Sequence, residues 1–337
     1  MKTCFIRIIK LQLIILSQIL FSVLGFNYAV AGAQCVNQLR GINLAGAEFG
    51  ERLPGVSGRD FKFPNESHIR YYTQAGFNAI RLPISWERIQ PVLHGELDSA
   101  YSKELLKFMD QSANFGQLVV VDIHNYARYR GQIIGSPSVS PEAFRNLWSR
   151  LAKLLNKHPA LYAYGLMNEP HHTQDLWHSI AQFGVDGVRA VDKTHIIYVA
   201  GDSWSGASSW PKVNPKPFVN DPNSKVVYEA HVYFDDDFSG RYQKFSSNTN
   251  YAERVRTRLQ PFIIWLQENQ QKGVIGEWGV PSNDAMFNDA IVEFEKVASS
   301  VCLDWFVWAG GQWSPNYNLS LEPIDGKDKV LLDILKK

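Results

Sequence analysis

The stretch QLVVVDIHNYARYRGQIIGSPSVSPEAFRNLWSRLAKLLNKHPALYAYGLMNEP (117–170) decides the fold. It opens on an apolar, β-branched run, QLVVVDIH (117–124), and crosses a loop rich in Gly, Ser and Pro. A helical pattern covers 141–156, and a second apolar run follows, LYAYGLMN (161–168). Ser140 stands where an N-cap belongs, and Pro141 fills a first-turn position, where its missing N–H is harmless. Two strands joined by such a crossover lie parallel, and runs without polar alternation predict a sheet covered on both faces.

The same unit recurs in both directions along the chain. Apolar runs at 39–45, 78–84, 117–124, 161–168, 195–201, 225–232, 273–278 and 303–309 predict eight strands. Helical periodicity falls near 67–75, 102–115, 141–156, 175–190, 251–271, 284–299 and 328–336, with Ser67, Ser102, Ser140 and Asp284 as expected N-caps. The segment 203–224, rich in Ser, Pro and Asn, reads as loop. Eight strand–helix alternations predict an α/β protein, a (β/α)8 TIM barrel in a single domain over 34–337. An open doubly wound sheet also alternates, but the first strand, GINLAG, lacks the Gly-rich phosphate turn that would favour it.

Residues 1–33 read as a signal peptide. Lys2, Arg7 and Lys10 precede an apolar run over 11–24, and Ala29, Ala31 and Ala33 suit a small-residue cleavage site. The run is shorter than the roughly 20 residues a bilayer demands, so export without lasting membrane association is expected. Cleavage removes three cations and leaves a faintly acidic, secreted chain, extracellular or periplasmic. It also removes Cys4, leaving Cys35 and Cys302. Each precedes a strand that barrel closure makes a neighbour of the other, so a disulfide between them is expected. The balance of 34 Lys+Arg against 33 Asp+Glu offers no basic surface for nucleic acid.

In a barrel of this kind reactive groups collect at the C-terminal strand ends. Arg81 lies on strand two, and Asp122, His124 and Asn125 close strand three. Asn168 and Glu169 close strand four, His231 and Tyr233 strand six, Glu277 strand seven and Trp308 strand eight. Strands four and seven lie across the mouth from each other. Glu169 and Glu277 are therefore expected to face each other over a bound sugar, one as proton donor and one as anion, about 5–5.5 Å apart for a retaining displacement. Arg81 and Tyr233 are expected to keep Glu277 ionised. No His-x-His pair closes strand one, and no metal or other cofactor is expected. Trp86, Trp204, Trp210, Trp278, Trp308 and Trp313 fall in or beside the same loops, where indole faces suit pyranose rings. His171 and His172 are left outside the site.

The segments IRLPISW (80–86), VDIHNYARYRGQIIG (121–135), GLMNEPH (165–171), AHVYFD (230–235), GEWG (276–279) and FVWAGG (306–311) resemble the motif series of glycoside hydrolase family 5 cellulases. The likeness runs from about Gly41 to Gln312, and the strand-three segment is similar to the fungal-type subgroup also found in bacteria. The resemblance implies a retaining endo-β-1,4-glucanase with Glu169 as acid/base and Glu277 as nucleophile. It implies Arg81, His124, Asn125, Asn168, His231, Tyr233, Trp204 and Trp308 as substrate-binding or supporting residues. A β-1,4-glucan is the implied partner, and a monomer is expected. The alternatives are a related β-glycanase (mannanase, xyloglucanase or mixed-linkage glucanase) and a catalytically silent sugar-binding barrel.

Overall fold

Each of the eight runs forms a strand in the computed structural model, which describes Cys35 and residues 37–336. The expected signal peptide lies outside the described residues. The strands are β1 Arg40–Ala45, β2 Ala79–Ile84, β3 Leu118–Ile123, β4 Leu161–Gly165, β5 Ile196–Ala200, β6 Val226–Tyr233, β7 Gly273–Gly279 and β8 Asp304–Gly311. All pair in parallel with their sequence neighbours. The ring closes where β1 pairs with β8, with Arg40 opposite Trp305. An open sheet is thereby excluded. A small hairpin, Arg128–Tyr129 with Gln132–Ile133, decorates the β3 loop.

Helices follow each strand: α1 Glu66–Gln74, α2 Ser99–Asn114, α3 Pro141–Leu155, α4 Trp177–Arg189, the single turn α5 Trp210–Val213, α6 Tyr251–Glu268, α7 Asn288–Ser300 and α8 Val330–Leu335. Ser140 caps α3 as expected, accepting from Ala143 N at 3.3 Å. Two other caps sit further upstream than the sequence suggested. Asn65 caps α1 in place of Ser67, and Asp98 caps α2, accepting from Tyr101 N at 2.7 Å, which leaves Ser102 inside the helix. Short carbonyl-bearing side chains compete well with serine at this position. Asp284 caps a 3-10 turn, Ala285–Phe287, ahead of α7. Cys35 and Cys302 are each disulfide-bonded.

A separate apolar cluster draws one residue from each strand or its start: Leu39, Ala79, Val120, Ala163, Tyr198, Val227, Val274 and Phe306. It plugs the barrel below the polar mouth, and Gly41 leaves room for it, since a Cβ there would fall 2.1 Å from the Phe306 ring. Near this end, Asp304 accepts from Leu39 N at 2.8 Å. Burial pushes its carboxyl from 3.8 up to about 6. The folded chain thus holds this proton better than the unfolded one. Stability from the group is complete below about pH 3.8 and is lost as pH rises through 6, leaving a deficit of about 2–3 kcal/mol at pH 7. Asp304→Asn keeps the acceptor and removes the charge. Thermal melts are expected to show it more stable than wild type by roughly 4 °C at pH 7.5 and no more stable at pH 4. A gain independent of pH would contradict this account.

Candidate active site

Arg81, the third residue of β2, is the hub of the mouth and is fully buried. Its Nη1 donates to Asn43 Oδ1 at 2.9 Å and to Glu277 Oε1 at 3.0 Å, and Nη2 donates to Asn168 Oδ1 at 2.9 Å. Nη2 also lies 3.1 Å from Asp122 Oδ1, and Nε 2.9 Å from Glu229 Oε1. These last two are charge contacts without hydrogen-bond alignment. Burial opposes the guanidinium charge, but Asp122, Glu229 and Glu277 together hold its proton more firmly than usual. Glu229 fits here because β7 carries Gly276 beside it. A Cβ at that position would stand 1.8 Å from Glu229 Oε1.

Glu277 is gripped on its other oxygen as well, where the Tyr233 hydroxyl donates to Oε2 at 2.8 Å. Glu169 lies four residues past the end of β4, in left-handed backbone with φ 41°. A non-glycine residue adopts that conformation only where its surroundings enforce it. The preceding residue supplies the anchor, since Asn168 N donates to Ile123 O at 2.8 Å and Asn168 O accepts from Tyr126 N at 3.1 Å. His231 sits between the acids. Its Nδ1 is 2.9 Å from Glu169 Oε1 and 3.6 Å from Glu277 Oε2, and its Nε2 is 3.4 Å from Glu229 Oε1. One oxygen each of Glu169 and Glu277 and a His231 nitrogen all lie within 4.8 Å of one another.

The electrostatics differ from the expectation in one respect. Burial raises the proton affinity of the Glu277 carboxyl, the charges of His231 and Arg81 lower it, and the Glu169 charge raises it again. The balance lies above the ordinary carboxyl value. Arg81 and Tyr233 therefore do not by themselves hold Glu277 low; His231 is the largest of the charges that oppose burial there. Burial opposes a charge on His231 too. The negative charge of Glu277 and the hydrogen bonds to Glu169 and Glu229 outweigh it and carry the imidazole up to about 10. The three side chains have the donor types of a cation site. Their facing atoms are already engaged with each other, with Arg81 and with Tyr233, which leaves little for a metal to claim.

Trp308 and His124 form the adjoining wall, their rings stacked 5.6 Å apart at 14°. His124 Nδ1 lies 2.9 Å from Asp122 Oδ2, and Trp308 Nε1 donates to Tyr317 OH at 3.3 Å. Trp313 stacks on Tyr317 at 4.3 Å and meets Phe49 edge-on at 4.6 Å, extending the aromatic surface toward the loops after β1 and β8. Asn125 does not join this group. Its Oδ1 accepts from Trp86 N at 2.8 Å and its Nδ2 donates to Glu87 at 2.6 Å, so the amide braces the β2 and β3 loops. Trp86, Trp210 and Trp278 are fully buried core residues, not groove residues. Trp204 is well exposed and stacks on His171 at 4.6 Å and 9°, so the histidine left out of the site packs against one of its expected residues. Asn43, Glu229, Tyr317 and Glu48 were not foreseen. Burial pushes the Glu48 carboxyl up to about 7.

An eight-stranded parallel barrel carrying two carboxyl groups within a sugar's width at its C-terminal mouth defines a glycoside hydrolase. Residues 36–314 match the family model described as Cellulase (glycosyl hydrolase family 5), and the chain belongs to that family. Endo-beta-1,4-glucanase B of Aspergillus niger is 36% identical over 304 residues, covering 88% of each chain. Among solved structures, Pseudomonas stutzeri endoglucanase Cel5A in complex with cellobiose superposes with a TM-score of 0.86 at 40% identity, covering 88% of this chain and 91% of that one. XacCel5A in complex with cellopentaose superposes at 0.81 and 34% identity, covering 88% and 98%.

Proposed function

We propose that the chain is an exported, monomeric endo-β-1,4-glucanase that cleaves internal bonds of cellulose and soluble β-glucans with retention of configuration. The observation that carries the reading is the approach of Glu169 and Glu277 to within 4.8 Å. That spacing suits a displacement through an ester and leaves no room for an inverting enzyme's water between the acids. Glu277 attacks the anomeric carbon as Glu169 gives its proton to the departing glycosidic oxygen. Glu169 then removes a proton from water, which attacks the glycosyl ester and releases Glu277. Trp308 is the floor under the sugar being attacked, and Asn168, fixed by Arg81, is the partner for its 2-hydroxyl. Export accords with the segment 1–33. Cys35 and Cys302 pair with each other in this reading.

Product analysis on cellohexaose, with anomeric configuration followed by NMR, tests the proposal directly. The first-formed reducing ends are expected in the β configuration. Hydrolysis of mannan with none of carboxymethyl cellulose would move the substrate to a sibling class. Binding of cello-oligosaccharides without release of reducing ends would leave a silent barrel.

A further inference from the structure

A cavity of about 970 Å³ opens on one side of the catalytic pair. Glu169, His231 and Tyr233 line it, while Glu277 and Trp308 do not. It therefore lies beyond the proton donor, where the sugars that depart with the glycosidic oxygen must sit. Tyr126, Trp204, Tyr233 and Phe238 are its aromatic lining, and of these Trp204 at 44% and Phe238 at 56% are the most exposed. Trp204 is tied to the acid's own loop, its backbone N–H donating to Pro170 O at 3.0 Å.

Phe238 is the unexpected wall. It rides a tight turn with φ 62°, a backbone region unfavourable to a bulky L residue. The turn is organised from below by Asp235, fully buried, which accepts from Ser239 Oγ at 2.9 Å and from the backbone N–H groups of Gly240 and Tyr242 at 3.2 and 3.1 Å. The Arg258 guanidinium lies 3.8 Å from the centre of the Phe238 ring and also donates to the Tyr233 carbonyl. One face of the ring is thus pinned by a cation that is anchored beside the nucleophile's tyrosine. The ring buries little and sits on unfavourable backbone, so it contributes little to the core. A phenyl ring held this way offers apolar contact to the C–H faces of a pyranose.

We propose that Phe238 is a specificity-determining residue of the leaving-group site, where with Trp204 it binds β-1,4-linked glucosyl units of the departing chain. The inference rests on the endoglucanase reading above. Two substrates separate them: cellohexaose, whose leaving group is a sugar chain, and cellotriosyl fluoride, whose leaving group is a single atom. For Phe238→Ala the ratio of kcat/KM on cellohexaose to that on the fluoride is expected to fall about 5–10-fold, mainly through KM on cellohexaose. Phe238→Tyr restores the ratio, and transfer of the trapped glycosyl group to added cellobiose falls in step with hydrolysis of cellohexaose. An unchanged ratio, or an equal loss on both substrates, overturns the assignment while leaving the hydrolase intact. A wild-type protein that cleaves neither substrate overturns the hydrolase reading itself, and this inference with it. Phe238 is exposed on a surface turn, so a thermal melt close to wild type separates a binding effect from misfolding.

Discussion

Glu277→Ala is expected to lower kcat on cellohexaose by at least about 10⁵-fold, because the covalent route loses the carboxylate that forms its ester. The effect should be the same for good and poor leaving groups, since no degree of leaving-group activation replaces the attacking carboxylate. Added azide fits into the space of the missing side chain and attacks from the same face. With cellotriosyl fluoride of β configuration it is expected to yield an α-glycosyl azide, and no product of retained configuration should return. The variant should still fold. Arg81 keeps Asp122 at 3.1 Å and Glu229 at 2.9 Å, so the buried cation is not left unpaired, the case that costs about 3–5 kcal/mol. Its melting temperature should equal or exceed that of wild type, because a carboxylate held against burial has been removed. Residual hydrolysis with retention, above what contaminating wild type explains, would remove Glu277 from the role.

The barrel was legible because its signal is local. Each strand is an apolar run that needs no knowledge of its partners, and turn residues separate the runs. Glu169, Glu277, Arg81, Tyr233 and His231 were legible for a related reason. Polar residues at the ends of apolar strands stand out, and a closed barrel gathers those ends at one mouth. Glu229 shows where this logic stops. Within KVVYEAHV it reads as an ordinary polar position. Its role becomes visible only when Arg81, some 150 residues earlier, and Gly276, on the next strand, are brought against it. The tryptophans fail for the opposite reason. Trp278 lies within β7 as Trp308 lies within β8, and Trp86 and Trp210 fall in the segments after β2 and β5, but these three turn into the layer between strands and helices. Trp278, for example, stacks on Phe294 of α7 at 3.8 Å. Loop position in sequence does not encode which way a side chain turns. Phe238 was hidden likewise, because exposure belongs to the turn that Asp235 builds and not to the residue.

Glu169→Ala is expected to divide substrates by leaving group. With cellohexaose, whose departing sugar alkoxide needs a proton, kcat/KM should fall about 10³–10⁴-fold, within the range removal of a general acid produces. With cellotriosyl fluoride the first step needs little proton assistance, and kcat/KM should fall only a few-fold. The second step still suffers, because no base then activates water. Glycosyl ester on Glu277 should therefore accumulate, visible as a burst of fluoride followed by a slow steady state and as a mass increment on the intact protein. Azide, which needs no base, should discharge the ester to a β-glycosyl azide, the opposite anomer from that expected of Glu277→Ala. The structural setting makes this split a test of position as well as of chemistry. His231 bridges both acids, at 2.9 Å from one and 3.6 Å from the other, and loses only one partner in the variant. Its remaining contacts with Glu277 and Glu229 keep the nucleophile's surroundings in place, so a loss confined to poor leaving groups reports the missing proton donor. Equal losses on both substrates would instead mean that Glu169 acts through His231 on the shape of the site, and the acid would have to be sought elsewhere at the mouth.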